Sequence, residues 1–193
     1  ALSEKADKIL VGGAMMFTFL KAQGVNIGSS KAEDDQLELA RELMAKAGDK
    51  LVLPVDAVCA KAFEDVPGVV KGVNEFDADD MGLDIGPKSL ELFRSVLADA
   101  KTVVFHPGYY AFTEEYDKAV SSLKKSLAAI SEYAEDAGVA CCVENMGNWG
   151  YFFLKDTADV PLIGDTPFCL DIGHANECAT LEASLASAKV LEG

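Results

Sequence analysis

Short apolar segments alternate along this chain with longer stretches of helical periodicity, and this alternation limits the folds open to it. The apolar segments occupy residues 8–11, 51–55, 102–105, 139–143 and 168–172. The helical patterns cover residues 17–23, 33–47, 88–98, 114–136 and 180–191. Strands that are apolar on both faces are typical of a parallel sheet covered by helices. We therefore predict an α/β fold with an open parallel sheet and helices on both of its faces.

The composition excludes several classes of protein. Half of the 193 residues are hydrophobic and a quarter are charged, which excludes disorder along the whole chain. The net charge of −15 argues against nucleic acid as a partner, because phosphate backbones attract basic surfaces. No apolar run approaches the ~20 residues of a membrane span, and the five cysteines lack the spacing of a zinc ribbon. We expect a reduced, cytoplasmic protein that binds neither membrane nor nucleic acid.

The first part of the chain carries strings that recur together in one enzyme family. They are "DKILVGGAMMFTFLKAQGVNIGSS", "LVLPVDAVCA", "MGLDIGPKSLELF" and "AKTVV". On these strings, residues 1–104 resemble the C-terminal, nucleotide-binding domain of phosphoglycerate kinase. The resemblance implies that Gly13, Gly82 and Leu83 line an adenosine pocket. The glycine-rich phosphate loops of that family are not found in this sequence.

Polar residues suited to metal binding follow the last three predicted strands. His106, Glu144 and Asp171 lie at strand ends, and His174 comes shortly after Asp171. Imidazole and carboxylate groups at one sheet edge are suitable zinc ligands. The strings "VVFHPGYY", "GVACCVENMG" and "PFCLDIGHAN" also make residues 103–190 similar to xylose-isomerase-like barrels, which include endonuclease IV. That resemblance implies a divalent-metal site at these four residues. We expect no cofactor, and the four residues leave open weak binding of zinc or another divalent metal.

The two resemblances meet inside the apolar segment at residues 102–105. We interpret the chain as a chimera that forms one α/β domain over residues 1–193, built from a kinase-like fragment, 1–104, and a barrel-like fragment, 105–193. With strands numbered in chain order, the predicted sheet has five strands in the flavodoxin-like order 2-1-3-4-5. The alternative is a half-barrel completed by dimerisation, in which exposed sheet edges pair in a homodimer.

This interpretation predicts an engineered or recombined scaffold without evolved catalytic activity, and therefore not an enzyme. A first alternative is a divalent-metal-dependent hydrolase or sugar isomerase that uses the four candidate metal ligands. A second alternative is a module with residual adenine-nucleotide binding through the glycines of the first half. Two experiments distinguish these alternatives. A metal-dependent enzyme loses turnover when any one of the four ligands is replaced by alanine, whereas a nucleotide-binding module binds ATP.

Overall fold

The structure is a computed structural model that describes residues 2–63, 67–110, 116–148 and 150–178. The chain divides into two compact units, Ala1–Asp99 and Ala100–Gly193, and each has a hydrophobic core of its own. None of the helices within the described ranges is both long and apolar enough to cross a membrane. The predicted helix at residues 180–191 lies outside these ranges.

The first unit combines a parallel strand pair, an antiparallel sheet and four helices in its described part. In chain order the elements are α1 (Leu2–Lys5), β1 (Ile9–Leu10), α2 (Met15–Ala22), α3 (Leu37–Ala47), β2 (Leu51–Val52), β3 (Asp56–Ala60), β4 (Val69–Gly72), β5 (Met81–Ile85) and α4 (Pro87–Leu97). Short 3-10 turns, Asp34–Gln36 and Gly48–Lys50, precede α3 and β2. β1 pairs with β2 in parallel, as expected for these two neighbours. The antiparallel sheet has the order β4-β3-β5.

Helix α2 forms the centre of the first core. Almost all of its residues are apolar, and most of them are buried: Met16, Phe17, Thr18, Phe19, Leu20 and Ala22. A helix that is apolar nearly all round must be covered on several sides, and here strands and α3 cover it. Gly24 follows the helix with φ of 85°, a left-handed conformation that ends it.

The buried carboxylate of Asp56 forms hydrogen bonds that connect the antiparallel sheet to the start of helix α4. Asp56 on β3 is 1% exposed. Its Oδ2 accepts the Lys88 N–H at 3.0 Å, and its Oδ1 accepts the Ser89 N–H at 2.7 Å. The Ser89 hydroxyl donates to Oδ1 at 2.5 Å. Gly86 precedes the helix because a Cβ there would overlap this carboxyl group. Asp56 therefore caps a helix that begins far from it in sequence.

The second unit contains a three-stranded parallel sheet with one long helix against it. Its elements are β6 (Thr102–Phe105), α5 (Tyr116–Ala137), β7 (Ala140–Glu144), a 3-10 helix (Thr157–Ile163), β8 (Phe168–Cys169) and α6 (Ile172–Glu177). The sheet order is β6-β7-β8, as predicted for these three strands. Leu123 and Leu127 of α5 share a core with Val143 of β7. β6 was expected to be buried on both faces, but Val104 is 47% exposed.

The predicted single sheet of order 2-1-3-4-5 is not observed: the described residues form sheets of two, three and three strands. One part of the difference lies between residues 56 and 85. β2 ends before Pro54, because proline cannot donate to a strand ladder. The chain then enters β3 and folds back as antiparallel pairs with β4 and β5. The mixed α/β class with parallel strands is confirmed, whereas the single domain, the half-barrel and the homodimer stay predictions.

Candidate functional site

The ends of β6, β7 and β8 bring imidazole and carboxylate side chains together in the second unit. His106 follows β6 directly, and its Nε2 lies 3.4 Å from Oε2 of Glu144, the last residue of β7. Asp171 precedes α6, and His174 lies in the first turn of that helix. The Nδ1 atom of His174 lies 3.7 Å from Asp171 Oδ1 and 4.0 Å from Glu144 Oε1. The structure therefore places all four predicted ligands at one edge of the sheet.

Three of these side chains are close enough to share one cation. Ligand atoms of Glu144, Asp171 and His174 all lie within 4.8 Å of one another. Atoms that ligate one zinc ion at ~2 Å are at most ~4 Å apart, so small side-chain shifts close the remaining gap. His106, with 52% of its side chain exposed, adds a fourth donor next to Glu144. This mixture of carboxylate and imidazole donors suits zinc and similar divalent ions. The assignment of the four residues as metal ligands stays a prediction.

The surroundings of Glu144 change its pKa. Burial raises the pKa of Glu144 above its ordinary value. The imidazoles of His106 and His174 act in the opposite direction, and the neighbouring Asp171 carboxylate raises the pKa further. A cation between the two carboxylates would favour their charged forms.

Asn145 lies directly behind the cluster and was not predicted as a site residue. It is 5% exposed, and its side-chain amide forms hydrogen bonds with the backbone of Asp171. The one sequence signal for it was a polar residue directly after the strand-end Glu144. The cavity beside Asn145, lined also by Leu154 and Phe168, measures about 10 Å³, which is room for about one water molecule.

The three residues predicted to line an adenosine pocket lie on two segments of the first unit. Gly13, between β1 and α2, has φ of 60°, and a Cβ there would meet no atom within 4 Å. Gly82 and Leu83 lie on β5, where the ring of Phe17 occupies the space of a Gly82 side chain. Because Phe17 lies one helical turn after Gly13, its ring links the two glycine segments.

A second group of acidic residues is held by lysines. Asp80 is 2% exposed, and its oxygens lie 2.9 Å from Lys61 Nζ and 2.6 Å from Lys71 Nζ. The two ammonium groups lower the pKa of Asp80, and the aspartates raise that of Lys71. Asp77 and Asp79 each pair with one of the same lysines at 2.7 Å. We interpret this group as a network of ion pairs that stabilises the turn before β5.

Comparison with known proteins identifies the family of the chain. The family model of phosphoglycerate kinase matches residues 1–143. The phosphoglycerate kinase of Enterococcus faecalis is 55% identical over 106 residues, which cover 54% of this chain and 27% of that protein. The phosphoglycerate kinase of Lactobacillus gasseri is 44% identical over 163 residues, which cover 77% of this chain and 40% of that protein. The chain thus spans less than half the length of these relatives.

One solved structure has a similar fold. The phosphoglycerate kinase from Coxiella burnetii covers 100% of this chain with a TM-score of 0.62, and the match spans 48% of that protein. At 22% identity, this match shows a shared fold. A D-tagatose 3-epimerase-like protein covers 75% of this chain with a TM-score of 0.40, which is too low to assign a shared fold.

The comparisons correct several sequence-based predictions. The family match continues to residue 143, far beyond the predicted junction at residue 105, so the chimera is not confirmed. Natural relatives named phosphoglycerate kinase contradict the prediction of an engineered or designed scaffold without catalytic activity. They also contradict the prediction that the chain is not part of an enzyme, since they point to a kinase. The resemblance of residues 1–104 to phosphoglycerate kinase is confirmed. The chain belongs to the phosphoglycerate kinase family.

Proposed function

We propose that this chain forms the nucleotide-binding part of an enzyme that transfers a phosphoryl group between an adenine nucleotide and phosphoglycerate. The observation that carries the proposal is the family match over residues 1–143, which includes the whole first unit. The relatives named for this activity share 44% and 55% of their aligned residues with the chain.

The surroundings of Gly13 support a nucleotide site. Its backbone is open to solvent, and no side chain of its own blocks close approach of a ligand. Met15, two residues later, is 60% exposed and offers an apolar, polarisable surface for a base. Helix α2 begins at Met15 without an acidic residue in its first turn and without a side-chain cap. The positive end of the helix dipole there would favour a phosphate group.

The glycines provide a matched test. Gly13 and Gly24 both have left-handed φ angles, 60° and 85°, and a Cβ at either position would meet no atom within 4 Å. Gly13→Ala and Gly24→Ala should therefore destabilise the fold by a similar amount, roughly 1–2 kcal/mol of backbone strain. Only Gly13→Ala should weaken the binding of ADP, measured by isothermal titration calorimetry. No saturable binding of ADP or ATP to the wild-type chain would contradict the proposal, and equal weakening in both variants would remove Gly13 from the site.

We propose in addition that the cluster in the second unit binds a divalent cation. The convergence of Glu144, Asp171 and His174, with their ligand atoms within 4.8 Å of one another, carries this proposal. These three residues and His106 would hold the ion, which would neutralise the two carboxylates.

Zinc binding tests this second proposal. After chelator treatment, added Zn²⁺ should raise the unfolding temperature, since an ion that binds only the folded state stabilises it by ~2.7 kcal/mol at a hundredfold excess over the dissociation constant. The rise should be lost in His174→Ala. It should persist in Asn176→Ala, an exposed residue on the same helix. A wild-type protein indifferent to Zn²⁺ and Mn²⁺ would contradict the proposal.

A further inference from the structure

Asn145 occupies a buried position between two of the candidate cation ligands. It follows Glu144 in the chain, at the point where the β7–β8 ladder ends with the pair Glu144 and Cys169. Beyond that pair, the backbone N–H of Asn145 lies 3.4 Å from the Cys169 carbonyl oxygen. Beyond this point the side chain of Asn145, and no longer the backbone, forms the hydrogen bonds between the β7 and β8 segments.

The amide of Asn145 replaces a pair of strand hydrogen bonds. Its Nδ2 donates to the Asp171 carbonyl oxygen at 2.9 Å, and its Oδ1 accepts the Asp171 N–H at 2.6 Å. One partner can only accept and the other can only donate, so these contacts fix the orientation of the amide. With 5% exposure, the group has little access to water that might replace either bond.

The contacts of Asn145 extend to His174. Asp171, held by Asn145, accepts the His174 N–H on its Oδ1 at 2.7 Å and so caps helix α6. The His174 Nδ1 lies 2.9 Å from the backbone carbonyl oxygen of Asn145. Since a carbonyl oxygen only accepts, a neutral His174 that donates to it from Nδ1 has its lone pair on Nε2. Of the four candidate ligands, Asn145 thus contacts Asp171 and His174 and is bonded covalently to Glu144.

We propose that Asn145 is a positioning residue that holds Asp171 and His174 in the geometry of the divalent-cation site. The inference rests on the proposed cation binding. Groups that orient metal ligands by hydrogen bonds fix side-chain direction and tautomer, and their loss weakens metal binding by ~10–100-fold. The amide provides this support through the backbone of Asp171.

The test compares Asn145→Ala with Asn148→Ala. Asn148 is exposed, lies three residues later in the same loop, and serves as the matched control. Zn²⁺ affinity is measured by competition with a chromophoric chelator. Coordination geometry is read from the visible absorption of bound Co²⁺, and the metal-free unfolding temperature reports folding. We expect Asn145→Ala to weaken Zn²⁺ binding by ~10–100-fold and to change the Co²⁺ spectrum. Asn148→Ala should leave both unchanged.

A second variant decides the matter if Asn145→Ala does not fold. Asn145→Asp has the same size and can still accept the Asp171 N–H, but it can no longer donate to the Asp171 carbonyl. Its Co²⁺ spectrum should therefore differ from that of the wild type. A wild-type affinity and spectrum in the folded Asn145 variants would overturn this inference and leave the cation site standing. No Zn²⁺ or Co²⁺ binding by the wild-type protein would overturn both proposals.

Discussion

The buried carboxylate of Asp56 makes a quantitative prediction about stability. It accepts hydrogen bonds from the Lys88 amide at 3.0 Å, the Ser89 amide at 2.7 Å and the Ser89 hydroxyl at 2.5 Å. Asp56→Ala leaves two helix-end amides without acceptors, at roughly 1–3 kcal/mol each. Loss of an ordinary helix cap alone costs about 0.5–2 kcal/mol. We expect the free energy of unfolding to fall by about 3–5 kcal/mol, whereas Asp99→Ala, at an exposed residue, should change it by less than ~0.5 kcal/mol.

The same carboxylate should make stability depend on pH. Burial alone would raise the pKa of Asp56, but the hydrogen bonds from Ser89 and Lys88 outweigh it and lower the pKa below its ordinary value. A carboxyl group whose pKa is lower in the folded state contributes its full stability above its unfolded pKa of ~3.9. That contribution is lost as the pH falls from there through the folded pKa. The difference between wild type and Asp56→Ala should therefore shrink below about pH 4.

Urea unfolding of both proteins, followed by circular dichroism from pH 7 to pH 2, measures these differences. The linear extrapolation gives the free energy at each pH. A cost below ~1 kcal/mol at pH 7 would show that Asp56 is not the cap of α4, since it would be smaller than a cap and two buried amides together require. A cost that is the same at pH 2 as at pH 7 would refute the lowered pKa.

Three further predictions concern packing, ion pairs and backbone conformation. Val143→Ala, at a fully buried position of β7, should lower the free energy of unfolding in urea by about 2–3 kcal/mol. Val104→Ala, at a residue that is 47% exposed, should lower it by less than ~0.5 kcal/mol. Equal losses would contradict the observed core. Asp80→Ala removes the acceptor shared by Lys61 and Lys71 and should lower the urea midpoint, while an unchanged midpoint would show that the network adds no stability. Gly138→Ala, at φ of 66° after α5, should lower the free energy of unfolding by about 1–2 kcal/mol, and a stabilised variant would argue against the left-handed turn.

The parallel strands of the second unit were predictable because their signals are local. An apolar run indicates a buried strand, and the polar residue that follows it indicates where that strand ends at the edge of the sheet. Thr102–Phe105 was predicted with its observed bounds, and the ends of β7 and β8 place Glu144 and Asp171 at one edge. Parallel pairing explains why His106, Glu144 and Asp171 lie at one edge, whereas the position of His174 also depends on helix α6.

Strands β3 and β5 of the first unit were not predicted because they mix apolar and polar residues. β3 begins with Asp56, and β5 contains Gly82 and Asp84. The role of Asp56 depends on Ser89, 33 positions later, and that of Asn145 depends on Asp171, 26 positions later. No local pattern predicts such contacts.

The family boundary was misjudged for a related reason. A buried strand, a long amphipathic helix and a second buried strand have the same hydrophobic pattern in many parallel α/β folds. The segment from β6 through α5 to β7 fits that pattern, and the family match continues through it to residue 143. Hydrophobic periodicity therefore gives the class of fold here but does not distinguish one parallel family from another.

The contact between Phe17 and Gly82 restricts how the two positions can vary. The ring fills the space of a side chain at position 82, while the Gly82 N–H donates to the Ser30 hydroxyl at 2.9 Å and holds the strand against the ring. The two residues thus share one volume, and an added methyl group at position 82 fits only when position 17 becomes smaller. Substitutions at positions 17 and 82 that are harmful singly should be compatible as a pair. Because Gly13 lies one helical turn before Phe17, a change in the shared volume should also displace the turn at Gly13.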